Sequence, residues 1–481
     1  MQVDYFKNVN KHEKYDIIVA GGGPSGIAAA IASSRQGMKT LLIEGTGCLG
    51  GTSVSGALPF WLGAMTGSIP FKKMLENNLQ YKDLPRKQYA VKGIFLEAVE
   101  RIKSEGGGVG PAVLAQSDRY PGLDRLGCHD EFTFDLEIGK RVLEEMVIES
   151  GAELLFFTTV LDVKRTGKGI DGLYIVNKDG LTYLEGAVFI DCTGDADVVS
   201  RAGFETYKGD RKTGLMSSVS LITHIEGACS KKVADYLDNG GDPLFREQCA
   251  AAIKENPGAD INPQIIMFPM VEEGVFMVND GTTFEFLDGT SAKDITKLML
   301  AGRQRAKSIL EKIFKPYIPG FQNARIRLTA SYPGIRETRR IMAEYILTEE
   351  DVLGGKVFED TIALGGRHFD LGRPVKNDGG HIESIQPMKD AGIYGGVTHI
   401  PYRALIPKNT DNIIAAGRCI AADGQAMGPA RIMSTCFATG QAAGIAAAMC
   451  IHESKCFIQL DAQVLRNTLV QNGAVLNGKD V

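Results

Sequence analysis

The sequence predicts an α/β fold in which a parallel sheet, extended by a β-meander, carries an inserted α+β region built on an antiparallel sheet. Three observations support it. Short apolar runs alternate with a glycine-rich turn and a helical pattern over residues 15–51, and a similar strand and Ala-rich helix return at 412–449. Residues 161–184 alternate as a meander, and the βαβ rhythm is lost between 214 and about 401.

The first element is a strand that ends in a glycine-rich turn. Residues 15–20 form an apolar run rich in β-branched side chains, as in a buried parallel strand. Gly21, Gly23 and Gly26 follow in the spacing G-x-G-x-x-G. Gly21 suits the tight turn, Gly23 lets the backbone approach a pyrophosphate, and Gly26 lets a helix pack close to the sheet. The turn therefore predicts a Rossmann-like dinucleotide-binding unit.

A helix and a second strand complete this unit. Pro24 and Ser25 lie within the turn, and residues 27–37 have the composition of an Ala-rich helix. Its N-terminus is expected to face the phosphates, because unpaired N–H groups and the helix dipole favour an anion there. Residues 39–43 form the second strand, and Glu44 at its end is placed to bond a ribose hydroxyl.

The order strand, glycines, helix, strand and acid favours a bound dinucleotide over the alternative, an ordinary βαβ unit without a nucleotide. An acid at position 44 argues against a 2′-phosphate, so the ligand is predicted to be FAD or NAD rather than NADP. Gly50, Gly51 and Thr52 then indicate a second phosphate-side loop, although a flexible glycine-rich connection has the same composition.

Later segments predict the remaining elements. The patterns predict helices over 134–150, 295–314 and 432–449, and strands over 153–160, 187–191, 216–224, 264–279 (two), 325–330 and 412–416. The strand at 187–191 is expected beside the first strand. The small residues of the last helix would let backbone and cofactor approach each other.

Composition restricts the function classes. Charged residues make up 23% of the 481 residues and the net charge is −5, without Lys/Arg clusters. This argues against nucleic-acid partners, including flavin-dependent RNA modification, and against a polybasic membrane patch. The chain has 57 glycines among its 481 residues, a larger share than the average of about 7% in globular proteins. That excess fits many tight turns and close backbone approaches to a large ligand.

Cysteine usage and the N-terminus indicate a cytoplasmic protein. Nine cysteines occur without a C-x-x-C pair, which argues against metal clusters, a disulfide framework and a disulfide-reductase mechanism. No metal site is predicted. The N-terminal residues are polar and lack an apolar signal core, and the apolar run at 438–449 is too short to span a bilayer.

Three separated motifs together resemble the FAD-dependent oxidoreductase family. They are GGGPSG with Glu44, IDCTGDAD at 190–197 and NIIAAGR…GQAAG at 412–444. GIRETRRI at 334–341 and IPYRALIPKNTDNIIAAGR at 400–418 resemble it too. The resemblance implies a fold like that of the fumarate reductase and succinate dehydrogenase flavoproteins. It narrows the cofactor to FAD and is silent on the substrate.

The resemblance also implies which residues hold FAD. The glycine turn with Glu44 would hold the ADP half, the second loop would meet the pyrophosphate and flavin, and the start of the last helix would meet the isoalloxazine carbonyl edge. The implied residues are Gly21, Gly23, Pro24, Ser25, Gly26, Glu44, Gly50, Gly51, Thr52, Val160, Thr193, Gly194, Gly417, Arg418, Ala430, Arg431 and Ile432. Cys48 is the residue placed for a covalent link, but small buried Cys residues usually serve packing, so non-covalent FAD is predicted.

The chain departs from the family at one place. Relatives often carry a His-Glu pair between the last strand and the last helix, where this chain has Gly424-Gln425. If that pair moves a proton in relatives, this protein must move the proton otherwise or has changed its reaction. The departure keeps open an alternative function, an FAD-binding protein or electron-transfer subunit without its own small-molecule substrate.

Three residues are candidates for proton chemistry or anion binding. Arg336 follows a Pro-Gly turn at a strand end, with an ion pair to Glu337 or Glu344 as the structural alternative. His399 lies where the chain returns to the cofactor domain, with a buried hydrogen-bonded role as its alternative. Arg403 in the same segment could instead tie two domains together.

The predicted organisation has four parts. Residues 1–70, 129–213 and 408–455 form the FAD-binding domain, 214–407 the substrate domain, 71–128 a further insertion, and 456–481 a polar tail that covers an edge. The predicted activity is hydride transfer between a small organic substrate and flavin N5. No second G-x-G-x-x-G follows a strand, so electrons would come from the substrate or from an external donor or acceptor. An oligomer is compatible with the sequence.

Overall fold

The computed structural model describes residues 9–66, 88–110, 132–211, 214–258, 261–279, 287–366 and 396–477, positions 123, 126 and 371, and the backbone of 373–376 and 382–385. Most of the predicted insertion at 71–128 lies outside these residues.

Short strands make up most of the sheets in the described residues. They are β1 (Asn10–Ala20), β2 (Thr40–Ile43), β3 (Phe60–Trp61), β4 (Gly108–Val109), β5 (Phe132–Phe134), β6 (Glu153–Leu155), β7 (Thr159–Thr166), β8 (Gly169–Asn177), β9 (Gly180–Asp191), β10 (Thr206–Lys208), β11 (Thr223–Glu226), β12 (Met267–Pro269), β13 (Phe276–Val278), β14 (Arg325–Thr329), β15 (Arg339–Ile341), β16 (Thr361–Gly365), β17 (Arg373–Lys376), β18 (Ile382–Ile385), β19 (Thr398–Pro401) and β20 (Ile413–Ala415).

The largest sheet has seven strands, and its parallel part positions the glycine turn. Its order is β6-β2-β1-β9-β8-β7, with β20 pairing with β9. β1 is parallel to β2 and to β9, and β20 is parallel to β9. β8 is antiparallel to both β7 and β9, which makes the predicted meander. The α/β fold class predicted from the sequence is confirmed.

Strand β9 differs from its prediction because it belongs to both parts of the sheet. β1 pairs with β9 from Thr182 to Asp191, while on the opposite edge of β9 the first half pairs with β8 of the meander and the last residues pair with β20. The pattern at 187–191 predicted a separate parallel strand. The side-chain pattern does not show that this stretch continues the strand that pairs antiparallel with β8. The predicted strand over 153–160 is instead two strands, β6 and β7, separated by a turn.

Most described helices have four turns or fewer, and two are longer, α7 with 18 residues and α11 with 21. They are α1 (Pro24–Arg35), α2 (Ile94–Ser104), α3 (Leu136–Glu149), α4 (Asp197–Arg201), α5 (Ser230–Asp238), α6 (Arg246–Glu255), α7 (Ala292–Ile309), α8 (Lys315–Tyr317), α9 (Glu349–Leu353), α10 (Met427–Ala430), α11 (Met433–Glu453) and α12 (Ala462–Gln471). A π-helical stretch at Leu310–Phe314 joins α7 to α8.

Helix α11 packs directly on α1 through its glycines. A Cβ added at Gly440 would lie 2.1 Å from the Ser25 carbonyl oxygen, and one at Gly444 would lie 2.4 Å from the Ala29 carbonyl oxygen. Only a residue without a side chain permits so short a distance between two helix backbones. Helix α11 is long and apolar enough to cross a membrane by length and composition, and 89% of the apolar window that gives this result is buried inside the protein.

The antiparallel region is a four-stranded sheet with its own hydrophobic core. Its strand order is β12-β13-β11-β14, and helices α5, α6 and the end of α7 contribute buried side chains to that core. The strand predicted over 216–224 is wrong in extent, because the strand begins at Thr223. Residues 217–222 are buried by packing outside any regular strand, apart from a single bridge between Ser220 and Gly334.

The main core draws on more of the chain than the predicted FAD-binding domain. It includes side chains from 347–364 and 400–406, which the sequence assigned to the substrate domain, and Leu465 and Leu469 of the predicted polar tail. These segments pack around α11, and β16 pairs with β19 beside it. The four-part division itself stays a prediction.

Candidate cofactor site

The glycine turn has the conformation and contacts that the sequence predicts. Gly21 adopts φ +100°, and a Cβ there would lie 2.5 Å from the Cys192 carbonyl oxygen. A Cβ at Gly26 would lie 1.7 Å from the Gly21 carbonyl oxygen, so the first helical turn sits directly on the loop. Gly23 is the N-cap of α1, and a Cβ there would meet no atom within 4 Å. That open position is where a ligand can approach the backbone.

The N-terminus of α1 suits an anion. Pro24 occupies the first turn, where its missing N–H costs nothing, and Pro24 and Ser25 are both buried. No side chain caps this end of the helix. The first N–H groups therefore have no side-chain acceptor, and together with the helix dipole they form a site that fits a pyrophosphate.

The second loop lies against the first. Gly50 has φ +104° and its N–H donates to the Gly22 carbonyl at 2.9 Å. A Cβ at Gly51 would lie 3.0 Å from the Gly23 Cα. Thr52 follows within a single 3₁₀ turn, Gly51–Ser53. The two glycine loops are therefore in direct contact, and we call the surface that they form with the N-terminus of α1 the cofactor groove.

Glu44 organises the loop that follows β2. Its carboxylate is 9% exposed and accepts hydrogen bonds from the N–H of Gly22 at 2.6 Å and of Thr46 at 2.7 Å. A carboxylate has about four acceptor positions, so a ribose hydroxyl can still bond to it. The Thr158 N–H donates to the Glu44 carbonyl at 2.9 Å, which brings Val160 of β7 to the same end of the sheet.

The loop after β9 lies on the other side of the glycine turn. A Cβ at Gly21 would lie 2.9 Å from the Thr193 Cα. The buried carboxylate of Asp191 holds this loop by accepting from the Thr193 N–H at 3.1 Å, the Thr193 hydroxyl at 2.7 Å and the Val199 N–H at 3.0 Å. Burial raises the pKa of Asp191 to about 6 although these hydrogen bonds oppose the shift.

Gly417 and Arg418 bring a cation to this groove. Gly417 has φ +79°, and a Cβ there would lie 2.4 Å from the Ser25 hydroxyl oxygen. The Arg418 guanidinium lies against Gly194, where an added Cβ would be 2.9 Å from Nη2. It forms an ion pair with Asp195 at 2.7 Å, and both side chains are largely buried. Burial disfavours the charge of Arg418, but Asp195 favours it and the pKa of the guanidinium is raised.

The start of α11 provides a second helix N-terminus. Ala430 ends the short helix α10, Arg431 follows it, and Ile432 is the N-cap of α11 without a side-chain cap hydrogen bond. An uncapped helix N-terminus stabilises a negative charge nearby. This end of α11 fits the carbonyl edge of an isoalloxazine ring, as the sequence implies.

The two candidate catalytic arginines have separate partners. Arg336 donates from Nη1 to the Ser218 carbonyl at 2.6 Å in the antiparallel region. Arg403 is exposed and pairs with Asp360 through Nε at 2.9 Å and Nη2 at 3.2 Å. Asp360 and Arg403 both lie in the predicted substrate domain, so this ion pair does not tie two predicted domains together, and the catalytic role of Arg403 stays a prediction.

His399 is a buried residue of β19, opposite Leu364 of β16. Its Nδ1 atom is buried without a hydrogen-bond partner among the described residues. Burial lowers the pKa of His399, and the positive charge of Arg466 on α12 lowers it further. The ring is therefore neutral near pH 7, and a role as a general acid would require a strong proton source.

A carboxylate from elsewhere in the chain occupies the space beside Gly424-Gln425, where the chain departs from the family pattern. Gly424 has φ +53°, and a Cβ there would lie 2.1 Å from Oε1 of Glu349. The same oxygen accepts from the Gln425 N–H at 2.5 Å, and the Gln425 amide bonds to the backbone of Leu371. Glu349 on α9 thus occupies the space that a larger residue at 424 would need.

Sequence reasoning missed the residues that come from the antiparallel region. Thr338 is buried and its hydroxyl contacts both Asp195 and Arg418. Burial and then the charge of Asp195 raise the pKa of Tyr332 to about 12, so its phenol is neutral beside the groove. Thr338 lies within the GIRETRRI segment, but only Arg336 was singled out there, and both residues reach the site from more than 130 positions away along the chain from Asp195.

Cys48 lines an open cavity of about 750 Å³ between its loop and helix α3. Its Sγ lies 3.3 Å from the Ser55 hydroxyl oxygen. The eight described cysteines are free thiols, and no group of metal-ligating side chains occurs among the described residues.

The chain is similar to known flavoproteins over different lengths. Dihydrolipoyl dehydrogenase 1 of Arabidopsis thaliana is 35% identical over 106 residues, which is 22% of this chain and 17% of that protein. Leghemoglobin reductase of Glycine max is 30% identical over 27% of this chain and 22% of that protein. The chain thus matches less than a quarter of the length of these curated relatives.

Solved structures align over nearly the whole chain at low identity. The p-nitrophenol 4-monooxygenase of Pseudomonas putida is 12% identical, with 96% of this chain and 85% of that chain covered and a TM-score of 0.46. A geranylgeranyl bacteriochlorophyll reductase-like protein of Thermoplasma acidophilum is 11% identical, with 96% and 92% covered and a TM-score of 0.41.

The family match extends over almost the entire chain. Residues 16–469 match the family described as FAD dependent oxidoreductase, which includes both glycine loops and both helix N-termini of the groove. Its cofactor is FAD, and the residues of the groove fit that group. This chain belongs to the FAD-dependent oxidoreductase family and is an enzyme of that family.

Proposed function

We propose that this enzyme transfers a hydride between a small organic molecule and N5 of non-covalently bound FAD. The observations that carry the proposal are the glycine packing around the start of α1, where Gly417 and Gly440 both lie against Ser25, and the lack of a side-chain cap at the N-termini of α1 and α11. One end suits a pyrophosphate and the other suits a ring that becomes anionic when reduced. FAD supplies the redox step when bound.

Residues of this groove would hold the cofactor in parts. The pyrophosphate would lie at the backbone of Gly21, Gly23 and Ser25, beside the start of α1. The adenosine ribose would bond to the carboxylate of Glu44 at the end of β2. Arg418 would add positive charge beside the pyrophosphate and ribityl chain. These assignments follow from the contacts between the two glycine loops and from the position of Gly417 beside Ser25.

The antiparallel region would cover the substrate. Its segment at 331–338 is bound to the second glycine loop through Ser55, so the region adjoins the side of the groove that carries the flavin ring. Arg336 belongs to this segment and would bind an anionic group of the substrate or donate a proton. His399, if it contacts the flavin or substrate, would act as a neutral hydrogen-bonding group.

The variant Arg336→Lys tests this role. It should retain bound FAD, because the Arg336 guanidinium bonds to the Ser218 carbonyl of the antiparallel region, and should lower turnover at least tenfold, because a lysine lacks the planar fork of an arginine. Steady-state kinetics with a substrate found by anaerobic screening would measure it. Unchanged turnover would remove Arg336 from the mechanism.

The absorbance spectrum of the purified protein tests the cofactor assignment. A flavin band that moves to the supernatant after acid precipitation would support non-covalent FAD. A band that stays in the pellet would show a covalent link and point to Cys48. Absence of a band after reconstitution with FAD would contradict the whole proposal.

A second candidate function is an FAD-binding protein or electron-transfer subunit without its own substrate. The observation in its favour is Gly424-Gln425, where the relatives' His-Glu pair is absent and Glu349 fills the space. Stopped-flow reduction of the flavin by small molecules, without any partner protein, would count against it. Reduction that requires a second protein would favour it.

Other aspects of the proposal rest on the sequence. We propose that the enzyme uses an external electron donor or acceptor, because the sequence contains one dinucleotide motif. We also propose a cytoplasmic location, because the cysteines are scattered without a disulfide pattern. The likeness to the fumarate reductase and succinate dehydrogenase flavoproteins is a proposal as well, supported by the order of the three motifs along the chain.

A further inference from the structure

The segment 331–338 connects the antiparallel region to the second glycine loop. The Ser331 hydroxyl and the Tyr332 N–H both donate to the Ser55 carbonyl, at 3.0 and 2.9 Å. Buried His224 of β11 lies with Nε2 2.9 Å from the Ala57 carbonyl oxygen. Because a carbonyl accepts only, Nε2 must carry the proton. Strands β11 and β14 are thus tied to the loop that faces the flavin.

The same segment reaches a second part of the groove through Thr338. Its hydroxyl accepts from Arg418 Nη1 at 3.1 Å and donates to the Asp195 carboxylate. A hydroxyl has one proton to donate, so these two partners fix its orientation. Its methyl group packs where a Cβ at Gly289 would lie 2.7 Å away. The Thr338 side chain is therefore held on both its polar and apolar sides.

Asp195 also holds the Arg418 guanidinium. Asp195 accepts from Nη2 at 2.7 Å, and Arg339 of β15 fixes the Asp195 backbone by donating to its carbonyl at 2.9 Å. A guanidinium has five N–H donors, so bonds to Asp195 and Thr338 leave further donors for a ligand. The orientation of those donors depends on Thr338, a residue from outside the cofactor sheet.

We propose that Thr338 is a positioning residue that aims Arg418 at FAD, and that FAD binding and the docking of the antiparallel region are thereby coupled. The proposal rests on the assignment of Arg418 to the cofactor groove. Coupling is reciprocal, so a cofactor that binds the held Arg418 more tightly must also stabilise the docked antiparallel region. A purely structural Thr338 would affect stability and leave FAD affinity unchanged.

FAD affinity of three variants tests the positioning role. Thr338→Val keeps the methyl packing and removes the hydroxyl, Thr338→Ser keeps the hydroxyl, and Thr410→Val is the control. Thr410 is also buried, with its hydroxyl bonded to the Pro407 carbonyl at 2.7 Å, but it has no contact with Arg418. Titration of apoprotein with FAD, followed by flavin fluorescence, gives the dissociation constant.

Thr338→Val should weaken FAD binding roughly tenfold, because Arg418 loses the acceptor that sets the direction of its remaining donors. Thr338→Ser and Thr410→Val should stay within about twofold of the wild type. The effect should vanish in an Arg418→Gln background, because the hydroxyl acts through Arg418. If Thr338→Val fails to fold, Thr338→Ala takes its place. Its FAD affinity is then compared with that of Thr338→Ser, and its effect is measured again in the Arg418→Gln background.

Hydrogen exchange of peptides that contain β11 and β14 tests the coupling. FAD should slow exchange there at least threefold in the wild type and in Thr410→Val, and should have no such effect in Thr338→Val.

Two failures have different meanings. Wild-type protein that does not bind FAD would overturn the cofactor groove and the role of Thr338 with it. Equal FAD affinity of the wild type and Thr338→Val, or additive effects of Thr338→Val and Arg418→Gln, would overturn only the role of Thr338.

Discussion

At the scale of single residues, Gly424 shows how a motif departure is accommodated. Its left-handed backbone and the adjacent Glu349 carboxylate leave no room for a side chain. The His of the relatives' pair could therefore be introduced only by moving Glu349 away from the Gln425 N–H. The departure and Glu349 are consistent with each other, which the sequence does not reveal because 75 positions separate Glu349 from Gly424.

Replacement of Gly424 by alanine should destabilise the protein more than the same replacement at Gly167. Both glycines have positive φ, +53° and +61°, but a Cβ at Gly167 meets no atom within 4 Å. Gly424→Ala should cost about 1–2 kcal/mol more, because Glu349 must leave the Gln425 N–H. Urea unfolding measures the difference. In a Glu349→Ala background the two replacements should cost the same, and a persistent difference would show that Glu349 is not the cause.

The buried carboxylate of Asp191 predicts a specific pH dependence. Its pKa is raised to about 6 in the folded protein and lies near 3.9 in an unfolded chain. The folded state therefore binds the proton more tightly, and this group's contribution to stability is complete below about pH 4 and is lost as the pH rises through 6. The free energy of unfolding of the wild type should fall between these pH values relative to Asp191→Asn.

Urea unfolding at pH 4, 5, 6 and 7 provides that comparison. Asp191→Asn should be less stable overall, because an amide offers one acceptor oxygen to the Thr193 and Val199 donors. Its stability curve should nevertheless lack the decline between pH 4 and 6. Parallel curves for the two proteins would mean that Asp191 ionises with an ordinary pKa.

At the scale of elements, the prediction succeeded where a local pattern determined the structure. The glycine turn, α1 and β2 lie within a few residues of their predicted bounds, because the strand–turn–helix sequence itself fixes the backbone. The extent of β11 and the continuity of β9 were predicted wrongly. Both depend on strand partners that lie far along the chain, such as the pairing of β11 with Phe276–Val278.

The candidate site shows the same difference between residues found from local motifs and residues brought together by the fold. The glycines and Arg418 could be assigned from motifs, and the structure places them along one groove. Asp195, Thr338 and Glu349 could not, because each acts through a partner brought close by the fold. Thr338 lies 80 positions from Arg418, and no spacing rule connects them.

The contact between α1 and α11 predicts an inverted effect of helix propensity. Gly→Ala in a helix normally stabilises by about 1 kcal/mol. Gly440→Ala should instead destabilise by about 1–3 kcal/mol, because the added Cβ would lie 2.1 Å from the Ser25 backbone carbonyl and the helices would have to separate. FAD binding should weaken too, since Ser25 lies in the first turn of α1.

Thermal unfolding and FAD titration test this on one helix. Ala438→Gly is the comparison on the same helix, since Ala438 is partly buried at the edge of the core and should lose helix propensity and a small packing contact, with unchanged FAD affinity. A stabilised Gly440→Ala protein would show that the two helices pack with more space than the structure gives them.

At the scale of the whole molecule, buried polar contacts join the antiparallel region to the cofactor fold. Arg340 of β15 is fully buried and donates to the Ala422 carbonyl at 2.5 Å and to the Gly209 carbonyl. Its guanidinium also lies 3.7 Å from the buried Glu337 carboxylate and 4.8 Å from the centre of the Tyr207 ring. The connection between the two parts therefore depends on a charge that water does not reach.

Removal of that charge should be among the most destabilising single changes in the protein. Arg340→Met should cost about 3–5 kcal/mol, because Glu337 loses its buried ion-pair partner and two carbonyls lose a donor. Arg340→Met combined with Glu337→Gln should recover part of this loss, since the remaining buried charge is removed as well. The exposed pair of Arg325 and Glu226 is the control, and Arg325→Met should change the free energy of unfolding by less than about 1 kcal/mol. Urea unfolding of the four proteins measures these terms, and a cost for Arg340→Met no larger than that for Arg325→Met would show that the docking of the two parts does not depend on the buried arginine.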